Sequence, residues 1–305
     1  MGYILQVIID ALSLGSLYAL AALGIGLLFG VLRLINFAHG DFITLGAYAL
    51  IVPAYGPNAI RFIADFPAPL LIICTILVIV AIALISEFLI FRPLRYATAA
   101  TLMVGSFALS FVIQNLIIMI YSGRPKSLNL WSELTEIKFL VGDVEIALLP
   151  ILIVAVTLIL LLLLVLFLKR TPWGVQMRAA AEDFKMARML GVRANFVISL
   201  AFVLSAALAA VVSLLFEAQT GILMFRMGTP LMVFAFIATV IGGMGSLVGS
   251  VVGGMTVGIV SSVLQAGLPA EVRGYRDVFV FGLVILILLV RPQGLVLSRA
   301  ARERV

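Results

Sequence analysis

Polar side chains are scarce in this chain, so the few that stand in apolar surroundings are the first candidates for chemistry. The only histidine, His39, lies in "INFAHGDFITLGAY" (35–48), together with Asn36, Gly40 and Asp41, where a long apolar region begins. An amide, an imidazole and a carboxylate so close together suit helix capping. A metal site or a histidine-based triad needs more, because no second histidine exists and Cys74 is the only cysteine. There is no G-x-x-x-x-G-K-[ST] loop and no H-E-x-x-H pair, so ATP hydrolysis is assigned to no segment and no cofactor or metal is expected on this chain. On local physics Asn36 or Asp41 caps a helix start, Gly40 relaxes the backbone, and His39 caps or bonds a neighbouring backbone group.

Two further carboxylates, Asp10 and Glu87, fall within reach of the ends of apolar runs. A charge in the middle of a membrane helix costs about 2.5–3.5 kcal/mol on insertion scales, so interfacial placement is the expectation for both, with Glu87 facing Arg92 only imperfectly. Glycine is abundant instead. Seven glycines fall between 242 and 258 in "GGMGSLVGSVVGGMTVG". Gly242 with Gly243 suits a turn or helix break, and Gly245, Gly249 and Gly253 form a small-residue stripe; such a stripe serves tight helix packing or lines a pathway.

The elements that must carry these residues follow from composition. Of 305 residues, 64% are hydrophobic and 11% charged, against about 25% charged in a soluble domain. A span needs about 20 apolar residues, and uncharged intervals run 11–32, 42–60, 96–123, 146–168, 194–216 and 227–270, with 67–86 and 278–290 adding two more. The 44-residue interval is divided at its glycine cluster. The expectation is an all-α polytopic membrane protein, a bundle of eight to nine transmembrane helices forming one transmembrane domain over residues 1–305. The N-terminus has no basic residue ahead of its apolar stretch and no small-residue cleavage site, which argues against a removed signal peptide.

When alternate loops are assigned to opposite sides, thirteen Lys and Arg fall on one side and seven on the other. By the positive-inside rule the first side is cytoplasmic, which places the N-terminus outside and the C-terminus inside. The net charge of +6 then reflects topology, and no nucleic-acid partner is expected. The external loop 122–145 has alternating polarity in "EIKFLVGDVEIAL", which predicts a small surface hairpin. It is a connector or a landing surface for an external partner.

The internal segment 170–194 contains "VQMRAAAEDFKMARML", rich in helix formers, which predicts one short cytoplasmic helix after Pro172 and Gly174. Ala180, Phe184, Ala187 and Gly191 recur at helical spacing as a small-residue face, while Arg178, Glu182 and Lys185 make a charged row. Asp183 sits between the two groups. Such a helix is an interfacial anchor or a docking element.

Read together, "GIGLLFGVLRLINFAHGDFITLGAY", "RPLR" (92–95), "MRAAAEDFKMARMLGV" (177–192), "GGMGSLVGSVVGG" and "RPQGL" (291–295) resemble the shorter membrane permease of the branched-chain amino-acid ABC importers, over nearly the whole chain. The resemblance implies a bacterial inner-membrane protein paired with a second, related permease, two cytoplasmic ATPases that use ATP and Mg, and an external solute-binding protein. It makes residues 177–192 the segment that docks on an ATPase, and it gives Asn36, His39, Gly40 and Asp41 a role in helix geometry near the pathway. In the general importer pattern this segment begins Glu-Ala-Ala, whereas here Glu182 follows the alanines. Permeases for urea or short amides look alike in the same motifs, and Phe37 after Asn36 favours the amino-acid branch. A stand-alone carrier or channel would need more intramembrane ionisable groups or an ion cage, and a membrane-embedded enzyme lacks a reactive constellation.

Overall fold

The computed structural model describes residues 2–33, 35–54, 56, 58–131, 134, 137–141, 144–291 and 294–296. The chain is a multi-pass all-α membrane protein with eleven helices among the described residues: α1 Gly2–Leu32, α2 His39–Tyr48, α3 Ala68–Ser86, α4 Ala99–Tyr121, α5 Leu148–Arg170, α6 Pro172–Glu182, α7 Phe184–Met189, α8 Ala194–Thr220, α9 Gly228–Gly242, α10 Leu247–Gly267 and α11 Arg276–Val290. Six of them, α1, α3, α4, α5, α8 and α10, are long and apolar enough to cross a bilayer. The other apolar intervals fold as shorter helices. α2 has 10 residues and α9 and α11 have 15 each, so at 1.5 Å per residue α2 reaches only about 15 Å of a core about 30 Å thick. The interval 42–60, expected as a full span, is therefore half a span followed by strand β1 (Ile51–Val52), which pairs antiparallel with β2 (Ile60–Arg61).

Helix boundaries follow local chemistry. Thr98, Thr171 and Ser246 accept the backbone N–H of Thr101, Gly174 and Gly249, capping α4, α6 and α10, as short hydroxyl side chains do. α8 stops at Gly221, whose φ of +65° is the left-handed C-terminal conformation. Just past α1, Arg33 takes a positive φ of 55° without being glycine.

The chain divides into two compact units. One comprises residues 1–26, 131–165 and 233–305. Its core is made by glycine: a Cβ at Gly242 would overlap the Gly249 carbonyl, one at Gly253 the Ala238 carbonyl, and one at Gly258 the Gly15 backbone. α10 thus lies backbone to backbone on α9 along one edge and on α1 along another, the packing that small residues permit where lipid offers no hydrophobic drive. Tyr18 stacks on Phe234 at 5.1 Å, and Thr239 donates to the Ala22 carbonyl at 3.3 Å. Gly243 (φ +102°) and Gly245 (φ +89°) make the turn between α9 and α10. The predicted hairpin also lies in this unit, as β4 (Lys138–Val141) antiparallel to β5 (Val144–Ala147); positions 132, 133, 135, 136, 142 and 143 of the 122–145 loop lie outside the described residues.

The second unit comprises residues 27–130 and 166–232. α8 is its spine, packing along both α2 and α3. At one end β3 (Lys126–Ser127) pairs antiparallel with β6 (Ile222–Leu223), Asn58 bridges to Ser127, and the buried Lys126 ammonium donates to the carbonyls of Ala54 and Gly56. At the other end lie α6 and α7.

Candidate functional site

The candidate residues fall at three places. The first is the non-helical stretch between α1 and α2. Lipid supplies no hydrogen-bond partners, so irregular backbone at membrane depth persists only where protein or a cavity encloses it. Asn36, Ala38, His39 and Asp41 are all buried, the least so at 1% exposure. Asn36 closes the turn, its side-chain oxygen accepting from the Ala38 N–H at 3.1 Å and its carbonyl from the His39 N–H at 3.2 Å. Ala38, not Asn36 or Asp41, holds the cap position of α2.

His39 is not a cap either. Its Nδ1 lies 3.3 Å from Ser205 Oγ on α8, while Nε2 meets no partner among the described residues. Gly40 serves close approach rather than backbone freedom: a Cβ there would sit 2.7 Å from the Gly228 carbonyl oxygen and 2.8 Å from Met232 Cβ. The Gly228 N–H in turn donates to Thr44 Oγ1 at 3.1 Å. The N-terminal turns of the two short helices α2 and α9 therefore meet, and N-termini carry partial positive charge.

Asp41 accepts from its own backbone N–H and also reaches side chains of α4. Its Oδ1 accepts from Gln114 Nε2 on α4 at 2.9 Å, Gln114 Nε2 also lies 3.1 Å from Ser110 Oγ, and Gln114 Oε1 accepts from Arg226 Nε at 3.1 Å. Acid, amide and base form one chain in the second unit. Sequence reasoning missed Gln114 and Arg226; the available signal was the Ser110, Gln114 pair at i, i+4 inside an otherwise apolar helix. It also missed Glu217, fully buried on α8 one residue past an apolar interval, with neither carboxylate oxygen partnered among the described residues.

The second place is the segment 170–194. The structure corrects the single helix expected there. α6 and α7 are separate, with Asp183 extended between them at φ −142° and ψ 104°. The reason is local: Asp competes with the helix for backbone donors and favours a cap, and Asp183 Oδ1 accepts the Met186 N–H at 3.0 Å, starting α7.

The break redistributes the expected face. Ala180 and Ala187 are buried with Met177, Phe184 is half-buried, and Arg178 and Glu182 are exposed. Gly191 is the left-handed residue that ends α7 (φ +89°), with Val192 N–H returning to the Ala187 carbonyl at 3.1 Å. Exposed instead are Met186 at 55%, Met189 at 81% and Leu190 at 80%. A cavity of about 1110 Å³ adjoins the segment, bordered by Arg33, Phe91, Arg95, Ala181, Phe184 and Arg188.

Beside that cavity Glu87, also buried, pairs with Arg95 rather than Arg92. Arg95 reaches the Asn195 side chain and Ser199 Oγ donates to Glu87 Oε2 at 3.3 Å, tying the start of α8 to the end of α3. Residues 87–91 form a π-helical turn that aims Glu87 there. Arg92 instead lies over the Phe88 ring, 5.4 Å from its centre.

The third place, the glycine cluster, is occupied by helix packing and the turn already described, and Gly242, Gly243, Gly245, Gly249 and Gly253 all serve there. Among the described residues no three His, Cys, Asp or Glu side chains are placed to hold a metal ion.

Known proteins resemble this chain in sequence over nearly its whole length. Residues 7–289 match the family of branched-chain amino acid transport system permease components. The chain is 34% identical to the high-affinity branched-chain amino acid transport system permease protein BraD of Pseudomonas aeruginosa, over 99% of this chain and 98% of that one. It is 32% identical to LivH of Escherichia coli K12, described as the permease of the same kind of system, again over 99% and 98%. A probable branched-chain amino acid transport permease of Methanocaldococcus jannaschii is 27% identical over 93% and 90%.

Proposed function

Since the chain belongs to the permease family of branched-chain amino-acid transport systems, we propose that it is a non-catalytic subunit of an ATP-driven importer that moves leucine, isoleucine or valine across the bacterial inner membrane. Its partners in this reading are a second, related permease, two cytoplasmic ATPases that bind ATP and Mg, and an external solute-binding protein. The N-terminus is outside and the C-terminus cytoplasmic.

The observation that carries the docking role is the exposure of Met186, Met189 and Leu190 on and beside α7. Apolar side chains on a segment flanked by Arg178, Arg188 and Arg193 suit an interface with a soluble protein better than contact with water. Alternating access then has a mechanical route. ATP-driven closure of the ATPases moves α6 and α7. Trp173, at the start of α6, meets Phe196 at the start of α8 edge to face, 5.9 Å between rings, and the Glu87, Arg95, Asn195 cluster joins α8 to α3. α8 carries Ser205 against His39, so a rigid shift of α8 reaches the broken segment that leads into α2.

The test is reconstitution in proteoliposomes. Labelled leucine is expected to accumulate only with the second permease, both ATPases, ATP and the binding protein present. Uptake of leucine by this chain alone, or ATP-driven uptake of urea but not leucine by the assembly, would overturn the reading.

A further inference from the structure

Gln114 stands between a carboxylate and a guanidinium and satisfies both with one amide. Its NH2 donates to Asp41 Oδ1 at 2.9 Å, and its oxygen accepts from Arg226 Nε at 3.1 Å. The charges fix which way the amide points, because a carboxylate only accepts and a guanidinium only donates. Asp41 is buried at 1% exposure, whereas Arg226 is exposed and Gln114 half-buried on a helix whose neighbouring side chains Phe111, Val112 and Leu116 are exposed and apolar. The chain therefore opens at Arg226 and closes at Asp41.

A donor and an acceptor side by side, the donor toward an acid and the acceptor toward a base, is also the pattern of a free α-amino acid. Its ammonium is the donor and its carboxylate the acceptor. The geometry points to a substrate subsite in which Asp41 takes the α-ammonium and Arg226 the α-carboxylate of a zwitterionic amino acid, with the Gln114 amide holding their places when no substrate is present. The N-terminus of α9 begins at Gly228, two residues past Arg226, and adds partial positive charge on the carboxylate side. Because Gln114 also competes with the zwitterion, the subsite is weak, as suits a permease that must release what it receives.

This inference rests on the amino-acid transport reading, and its test separates the two. The probe is tritiated leucine binding to the whole importer in nanodiscs, without binding protein. Leucine is expected to be displaced by valine but not by leucinamide, which lacks the carboxylate, or by 4-methylpentanoate, which lacks the ammonium. Gln114→Leu and Gln114→Ala are each expected to tighten leucine binding about tenfold. Asp41→Asn and Arg226→Gln, which keep the shape, are expected to weaken it at least tenfold while the complex still assembles by size exclusion. Gln114 variants that bind leucine no better than the wild type, or Asp41→Asn and Arg226→Gln complexes that bind it as well, would overturn the subsite. Absence of measurable binding to both the wild type and the Gln114 variants would do the same. If the wild-type importer accumulates leucine in proteoliposomes while these binding results fail, only the subsite falls.

Discussion

A methyl group at position 253 would overlap the carbonyl oxygen of Ala238, and one at 258 the backbone of Gly15. Neither neighbour is the free end of a flexible side chain, so the helices themselves would have to separate. Overpacking a close interface costs about 1–3 kcal/mol and occasionally more. Gly253→Leu is expected at the upper end of that range or beyond, read as a fall in melting temperature of the purified protein, whereas Gly274→Leu, where a side chain meets open space, is expected to change it little. The buried ion pair is a second residue-scale lever. Removing one partner of such a pair costs about 3–5 kcal/mol because the other charge stays buried, so Arg95→Leu is expected to destabilise strongly, and Glu87→Gln with Arg95→Leu together to cost less than the two singles added. An additive double-mutant cycle would show that the pair is not coupled. The small-residue spacing of these glycines was readable in the sequence because close approach needs a missing side chain wherever the partner lies. The partner of His39 was not, since Ser205 lies 166 positions away and nothing local marks it. Glu87 was read toward Arg92 by nearness in sequence; the π-helical turn carries it to Arg95 instead.

At the scale of elements, the segment 171–193 works as two short helices hinged at Asp183, with its outer tip apolar. Helix propensity favoured one continuous helix there, and the single extended aspartate overrode it by capping α7. Periodicity therefore placed Ala180 and Ala187 on a docking face, whereas packing buries them and presents Met186, Met189 and Leu190. Met189→Asp and Leu190→Asp are expected to abolish co-purification of the ATPases while leaving insertion and melting temperature near wild type; Ala187→Asp, inside the fold, is expected to lower stability first. Unchanged co-purification with Met189→Asp and Leu190→Asp combined would remove α7 as the docking tip. Loss of the cap by Asp183→Ala is expected to cost about 1 kcal/mol of local stability, seen as faster amide exchange confined to residues 184–190. The short helix α2 shows the complementary limit of sequence reading. Its hydrophobicity matched a span, but hydropathy cannot distinguish a full crossing from half a crossing enclosed by other helices.

For the molecule as a whole, strand pairing ties distant segments to one side of the membrane. β3 and β6 are hydrogen-bonded to one another, so residues 126–127 and 222–223 lie on the same side of the membrane. Between them lie α5 and α8, two helices each long and apolar enough for one crossing. Residues 171–193 must then lie on the opposite side from both strands, whichever side that is. In the proposed orientation that side is the cytoplasm, in keeping with the positive-inside rule and the six basic residues from Lys169 to Arg193. The strand pairing itself was invisible in the sequence, because two residues on each side carry no pattern, yet it makes the topology of this half an internal constraint rather than a tally. With Cys74→Ala as background, Ser127→Cys, which is exposed, is expected to react with a membrane-impermeant thiol reagent in intact cells. Met189→Cys, at a position 81% exposed, is expected to react only after the membrane is opened. Labelling of Met189→Cys in intact cells would invert the orientation, and labelling of both would mean that α5 does not cross, leaving α7 on the wrong side to meet an ATPase.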